Sequence, residues 1–559
     1  MCLLRLCHQK IDGGAMKCII CAIFLFLCSS VAYSGPVINV QYIHDLIAQK
    51  WQINVPYNSE LTDKNVVANM KYLLTAIDVA NKKLNGWPTT SYARSEYATQ
   101  AAVDTVATET AVDTLIKYMG APFKIKTTDN TSDFSFSISA KGKFYVNWGD
   151  GQEDVIEKSD TSEVLYSHAY DVPGQYDIEM GGKATAYNNS NTVASISFKD
   201  NVNIQKISGS LGYIFSTLAN ESQPRFYYTF SGNTGLNGQI PPALFYGVSG
   251  QPTKNMFYAT FGGATGLEGA VPPELFENIV GIPMEGIFYR TFENCSGLTA
   301  ISADLFKGIV GPPARDMFHS TFSGCVGLPE IPDGLFAGIK GAPAQRMYNA
   351  TFSGCTGLRG NIPDALFGVF DGNPQELMFG NTFYACSGLS GGIPRNLFEG
   401  IKGQPAKRMY EGTFNSCSGL NQPIPAGLFA GISGNPVEKM FYNTFAGCVN
   451  LTGMVPDGLF SGVSGSVAPN MFSRTFYNCH AIEGIEGEIF GNLTGDAQTG
   501  MFTEMFYRNY AMRGNSATIN GRFLYDIWPS AMSAQVGKMY TDDTGLTDYE
   551  NIPSVWGGP

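Results

Sequence analysis

The period of the apolar positions changes twice along the chain. Between 36 and 120 it is helical. Val40, Ile43, Leu46 and Ile47 open a short amphipathic stretch, and Val66, Met70, Leu73, Leu74, Ile77 and Leu84 continue at helical spacing. Thr62 or Asp63 caps that helix and Gly86-Trp87-Pro88 ends it. An Ala/Thr-rich helix follows, from Tyr97 to Met119. Between 122 and 205 the period is two. Phe134, Phe136 and Ile138 alternate with polar residues, as do Phe144, Val146 and Trp148, then Val164, Tyr166, His168 and Tyr170, then Tyr176, Ile178 and Met180, then Ala194, Ile196 and Phe198. Gly149-Asp150-Gly151, Asp171-Val172-Pro173-Gly174 and Gly181-Gly182 supply the turns. This pattern predicts a small antiparallel β-sandwich.

From 206 to 515 one phrase recurs about ten times. Its phenylalanines Phe230, Phe261, Phe292, Phe322, Phe352, Phe383, Phe414, Phe445, Phe476 and Phe506 are spaced by 30 or 31 residues. In one copy Met317, Thr321 and Cys325 stand four apart, with Phe318 and Phe322 beside them, which predicts a helical stripe. A proline precedes it, as Pro313 does here, where a missing N–H does no harm. Gly327-Leu328 to Ile331-Pro332 predicts a short extended segment, and Leu335, Phe336 and Ile339 another helical turn or two. No single copy can cover its own apolar set, so neighbours must stack and the unit is the array. The expected architecture is multidomain α+β: a helical N-terminal module (36–120), the sandwich (122–205), an α/β solenoid (206–515), and a degenerate capping repeat (516–559).

Composition changes the picture in three ways. A net charge of −12 and the absence of any Lys/Arg run argue against nucleic acid. The first 34 residues read as a signal peptide, with Met16 the initiator. Met16-Lys17 is basic, Cys18 to Cys28 apolar, and Ala32-Tyr33-Ser34 suits cleavage. Leu27 before Cys28 argues against a lipid anchor, and no stretch of the mature chain is long and apolar enough to span a bilayer. These features imply a secreted, surface or periplasmic location. Finally, Cys295, Cys325, Cys355, Cys386, Cys417, Cys448 and Cys479 all hold the same place in their repeats, where other copies carry Asn233 or Ala264. A position that accepts Cys, Asn or Ala is small and buried, which predicts a ladder of reduced, structural thiols. Stacked helices would hold their Cα atoms beyond the roughly 7 Å a disulfide needs.

Two resemblances follow from these motifs. Phe144-Tyr145-Val146-Asn147-Trp148-Gly149-Asp150-Gly151, then His168-Ala169-Tyr170, then Pro173-Gly174-Gln175-Tyr176 resembles the PKD family. That implies an immunoglobulin-like extracellular spacer, sometimes a binder of glycan or protein. Phe322, Cys325, Leu328, Ile331 and Pro332 resemble the BspA-like leucine-rich repeats of bacterial surface proteins, although these copies are longer than the roughly 23 residues usual there. That resemblance implies a surface-exposed adhesion or protein-binding factor.

No reaction centre is legible. His44, His168, His319 and His480 share no ligand spacing, and no nucleophile–base motif appears, so neither a metal, a cofactor nor catalysis is expected. The most variable part of each repeat is the two or three residues between Gly-Leu and Ile-Pro. Copies with three residues there are 31 long and copies with two are 30 long. Asn237, Gln239, Glu268, Thr299, Glu330, Arg359, Asn361, Asn421, Gln422 and Glu483 occupy this window and are the candidate ligand contacts. The leading expectation is protein recognition through the solenoid. A glycan-binding envelope component using exposed sandwich aromatics, and a hydrolase with an acid pair in a cleft, are the other two.

Overall fold

The computed structural model describes residues 122–559, which fall within one compact unit, Ile116–Pro559. The expected signal peptide and helical module lie outside the described residues. The described chain is β-rich. Its α-helices are single turns: α1 (Leu211–Ile214), α2 (Leu524–Ile527) and α3 (Ser533–Val536).

The period-two region forms two antiparallel sheets. One has the order β4-β3-β6-β1-β8, from Glu153–Lys158, Lys141–Asn147, Asp177–Ala186, Phe123–Thr127 and Ile204–Ser208. The other has the order β5-β2-β7, from Val164–Gly174, Thr131–Ile138 and Ile196–Ser197. Alternation sends Phe123, Ile125, Phe134, Phe136, Phe144, Trp148 and Phe198 into the shared core. Gly182 faces Phe144 in the β3–β6 register, at φ +105, and a Cβ there would lie 2.3 Å from the Lys143 carbonyl oxygen.

The repeat stripe is not helical, which corrects the expectation. Met317 to Cys325 is a run of tight turns in which every fourth residue is left-handed: Asp316 at φ 57°, Ser320 at φ 55°, Gly324 at φ 73°. Later copies repeat this at Arg346, Ala350 and Gly354, then at Leu377, Asn381 and Ala385. The amides alternate in partner. Phe318 N–H donates to the Met347 carbonyl of the next coil (3.1 Å) and Phe322 N–H to Thr351 (2.9 Å). His319, Thr321 and Ser323 donate instead to carbonyls three residues back, on Asp316, Phe318 and Ser320. The physical reason lies in the spacing. Side chains four apart drift by about 40° per step around an α-helix of 3.6 residues per turn. Turns of four residues remove that drift and hold Met317, Thr321 and Cys325 on one inward line.

Stacking then follows from register. Phe288 and Phe318 lie 5.7 Å apart and 5° from parallel, Phe292 and Phe322 5.5 Å and 4°, Phe306 and Phe336 6.0 Å and 13°. These three ring columns touch one another at tilted angles, as Phe318 does Phe336 at 4.5 Å. Each ring contributes about 1.5–3 kcal/mol of burial. Beside them Thr351 Oγ1 donates to the Phe318 carbonyl (2.9 Å) and Cys355 Sγ to the Phe322 carbonyl (3.0 Å), both one coil back.

The Gly-Leu-x-x-Ile segment is extended, as expected. It forms β9 (Glu268–Ala270) pairing in parallel with β10 (Gly297–Ala300), and β11 (Met454–Val455) with β13 (Gly484–Ile485). The second predicted helix is a 3-10 turn at Pro273–Phe276 and Ala303–Phe306 and plain turns in the copy at 332–339. Parallel bridges such as Gly311 to Ile339, and the pair β12 (Gly465–Ser466) with β14 (Leu493–Thr494), close each coil against the next.

Both ends of the hydrogen-bond ladder are closed. Ser195, Phe198 and Asp200 of the sandwich donate to the Arg225, Thr229 and Ser231 carbonyls of the first coil (2.8, 2.8 and 2.7 Å). The expected boundary near 205 is therefore hydrogen-bonded and carries no linker. At the far end Tyr540 N–H reaches the Trp556 carbonyl (2.9 Å), with the Trp556 side chain buried.

The left-handed positions make a direct prediction. Ala350, at φ 54°, carries a steric cost that glycine would not. Ala350→Gly should therefore leave stability unchanged or raise it by roughly 0.5–1 kcal/mol in urea unfolding. A helical stripe would lose about 1 kcal/mol on the same change.

Candidate recognition surface

The window between Gly-Leu and Ile-Pro lies on the ladder that joins one coil to the next. Asn237 N–H donates to Gln205 (2.8 Å), Glu268 N–H to Gly238 (2.9 Å), Arg359 N–H to Pro329 (2.8 Å) and Glu483 N–H to Gly453 (2.9 Å), all through backbone carbonyls. Thr299 lies in β10 beside β9. The structure thus brings the candidates into one row although they are spread over more than two hundred residues of sequence. Gln239, Glu268, Thr299, Glu330, Arg359, Asn361, Asn421, Gln422 and Glu483 are exposed, and Asn237 is half-buried. Backbone pairing fixes their positions, while their side chains take no part in the ring columns. The Glu268, Glu330 and Glu483 carboxylates make no hydrogen bond among the described residues. Four others are partly committed. Arg359 Nη1 donates to the Thr356 carbonyl (2.8 Å), Asn361 Oδ1 accepts from Gly392 N–H (3.3 Å), and Gln422 Nε2 donates to Asn421 Oδ1 (3.2 Å).

A second surface escaped the sequence reading. On the turn ladder Tyr227, Tyr258, Tyr289 and His319 hold equivalent places in successive coils. Tyr258 and Tyr289 stack at 4.4 Å and 6°, and His319 sits 4.5 Å from Tyr289. Charged partners also lie one coil apart: Lys254 with Glu285 (2.9 Å), Lys407 with Glu438 (2.7 Å) and Arg474 with Glu504 (2.6 Å). The signal was present in the sequence as aromatic or opposite-charge residues at the repeat period. A helical reading hid it, because it does not align residues coil to coil.

The strongest charged cluster is Asp316. Arg346 grips it through two hydrogen bonds (2.7 and 2.8 Å), and His319 Nδ1 lies 3.2 Å away. Burial pushes this carboxyl up, but His319 and Arg346 more than reverse that and hold it at about 2.

The cysteine ladder is buried and free of disulfides. Coils bonded directly to each other lie about 5 Å apart, so the spacing of stacked helices is not what keeps these thiols single. Each donates to a carbonyl of the preceding coil, from Cys295 on Phe261 (3.2 Å) to Cys479 on Phe445 (3.1 Å). Burial raises all seven, Cys355 and Cys448 to about 12, so they stay protonated and able to donate. Asn233 and Asn509 take the same place at the two ends. Asn233 Oδ1 accepts from Asn201 N–H (3.1 Å) and Asn509 Oδ1 from Cys479 N–H (2.8 Å).

In the sandwich the aromatics build core. Trp148 and Tyr170 are buried, His168 stacks on Trp148 at 4.8 Å, and His168 Nε2 meets Asp150 Oδ2 at 2.8 Å. Tyr170 is covered by Tyr176 at 3.6 Å and donates its hydroxyl to the Trp148 carbonyl (2.9 Å). Trp148 and Tyr170 are thus core residues and not an exposed aromatic pair. Among the described residues, no three His, Cys, Asp or Glu gather as a metal site, and no helix is long and apolar enough to cross a membrane. No family model, curated protein or solved structure matches the chain.

Asp316 gives this surface a pH dependence. Its folded pKa lies below the unfolded value, so its stabilisation is present above about pH 4 and is lost as the pH falls toward 2. Urea unfolding across that window should show wild type losing more stability than Asp316→Asn.

Proposed function

We propose that this chain is a secreted or surface-displayed, non-enzymatic binding protein that recognises a protein partner through the exposed window row of its repeat array. In this reading residues 206–515 are a leucine-rich-repeat-like solenoid, the 122–205 sandwich is a PKD-like spacer that also closes the first coil, and 516–559 closes the last. No cofactor takes part. The observation that carries the reading is the row itself. Residues that vary in identity and number from copy to copy fall on one exposed line, while the positions around them repeat and are buried. A rigid scaffold with variable residues on its connecting segments is how repeat proteins present binding surfaces. The three exposed carboxylates in the row favour a partner carrying Lys or Arg, and such contacts weaken with salt.

The test is binding of the processed chain to a microarray of secreted and cell-surface proteins. A Glu268→Ala/Glu330→Ala/Arg359→Ala/Glu483→Ala variant should keep its unfolding profile and lose the captured partner, by at least about tenfold in affinity. Capture that is undiminished in this variant would overturn the reading.

A further inference from the structure

The array departs from its pattern between Met512 and Met539. An insertion there forms a hairpin, β15 (Thr518–Ile519) and β16 (Arg522–Phe523), followed by α2 and α3. Asn520 (φ 52°) and Gly521 (φ 71°) make the turn, as expected for an Asn-Gly hairpin of this hand. Side-chain hydrogen bonds pin the insertion to the preceding coil. Gly521 N–H donates to Glu488 Oε1 (2.6 Å), Trp528 Nε1 to the Gly495 carbonyl (2.9 Å), and Gln535 Nε2 to the Ala497 carbonyl (3.0 Å).

These anchors hold open a cleft of about 620 Å³ between the insertion and the coil. That volume lies within the roughly 300–1,000 Å³ of small-molecule sites. Asn492 and Asp496 line it from the coil, Asn520 and Arg522 from the hairpin, and Trp528 and Ser530 from the segment after α2. The hydrogen-bonding groups are of both kinds. Arg522 keeps donors beyond the one given to the Asp526 carbonyl (2.8 Å), and Asn520 Nδ2 donates to Asn492 Oδ1 (3.4 Å), which leaves Asn492 Nδ2 and Asn520 Oδ1 to face a ligand. The Asp496 carboxylate and the Ser530 hydroxyl make no side-chain hydrogen bond among the described residues. Asp496, Asn520, Arg522 and Ser530 are exposed.

We propose that this cleft binds a neutral carbohydrate. Adjacent sugar hydroxyls each donate and accept, so they need the mixture of carboxylate, amide and guanidinium found here. Trp528, largely buried and with its indole N–H given to the Gly495 carbonyl, supplies an apolar wall beside those groups. An anionic ligand would meet Asp496, a cationic one Arg522, and a wholly apolar one would leave both without partners. The site is separate from the window row and does not depend on it.

Saturation-transfer NMR on the full chain tests this. The probes are glucose, galactose, mannose, fucose, N-acetylglucosamine and short linear oligomers of each. At least one should receive saturation at millimolar concentration. Asp496→Ala and Ser530→Trp, both at exposed positions, should each weaken that binding at least about tenfold. The Glu268→Ala/Glu483→Ala variant should leave it intact. The proposal is overturned if no probe receives saturation, if neither cleft variant weakens it, or if a sulfated oligosaccharide binds more tightly than its neutral parent.

Discussion

The array rests on one constraint: alternate amides of the turn ladder must reach the carbonyls of the next coil. A residue can send its N–H out of its own coil only if the backbone reverses locally, and here a left-handed residue at every fourth position does that. Everything else in the repeat follows. The bonds fix the coil spacing, and the spacing places each phenylalanine over its counterpart. The counterparts form three columns that exclude water, and the threonine and cysteine side chains supply donors to carbonyls inside that dry strip. The bonds of the turn ladder run from a coil to its successor, so the two ends of that ladder differ. The first coil needs donors, which Ser195, Phe198 and Asp200 supply, and the last needs an acceptor, which Trp556 supplies.

This asymmetry changes the meaning of the sandwich. In the sequence it looked like a separate module ahead of a solenoid. In the structure the segment around β7 feeds its amides into the first coil, and Gln205 at β8 accepts from Asn237. The sandwich is thus both a domain with its own aromatic core and the starting template of the array. Any surface presented by the coils is held rigidly to it.

Much of this was legible in the chain, and the errors have physical causes. The period of 30–31, the antiparallel sandwich, the extended Gly-Leu-x-x-Ile segment and the burial of the cysteines could all be read from spacing. The conformation of the Met-Phe-x-x-Thr-Phe stripe could not be read that way, because helix and four-residue turn both place i and i+4 on one side. What separates them is backbone sign, and that signal was diluted. The left-handed sites hold Gly and Asn in some copies but Arg346, Ala350 and Leu377 in others, where coil-to-coil bonding overrides local preference. The window residues stand out in the sequence because they vary. The tyrosine column and the C-terminal cleft were missed because each is made by neighbours one coil or one insertion apart.

The functional account rests on coils that are stacked turns, the arrangement that brings the window residues into one row here. Alanine-selective isotopic labelling reads this directly at Ala259, Ala350 and Ala385, which have φ of 48°, 54° and 57°. A left-handed residue brings its own amide proton and Hα close together. Strong intraresidue amide–Hα cross-peaks at these three alanines are the predicted result. Weak cross-peaks of the kind given by helical residues would contradict the account.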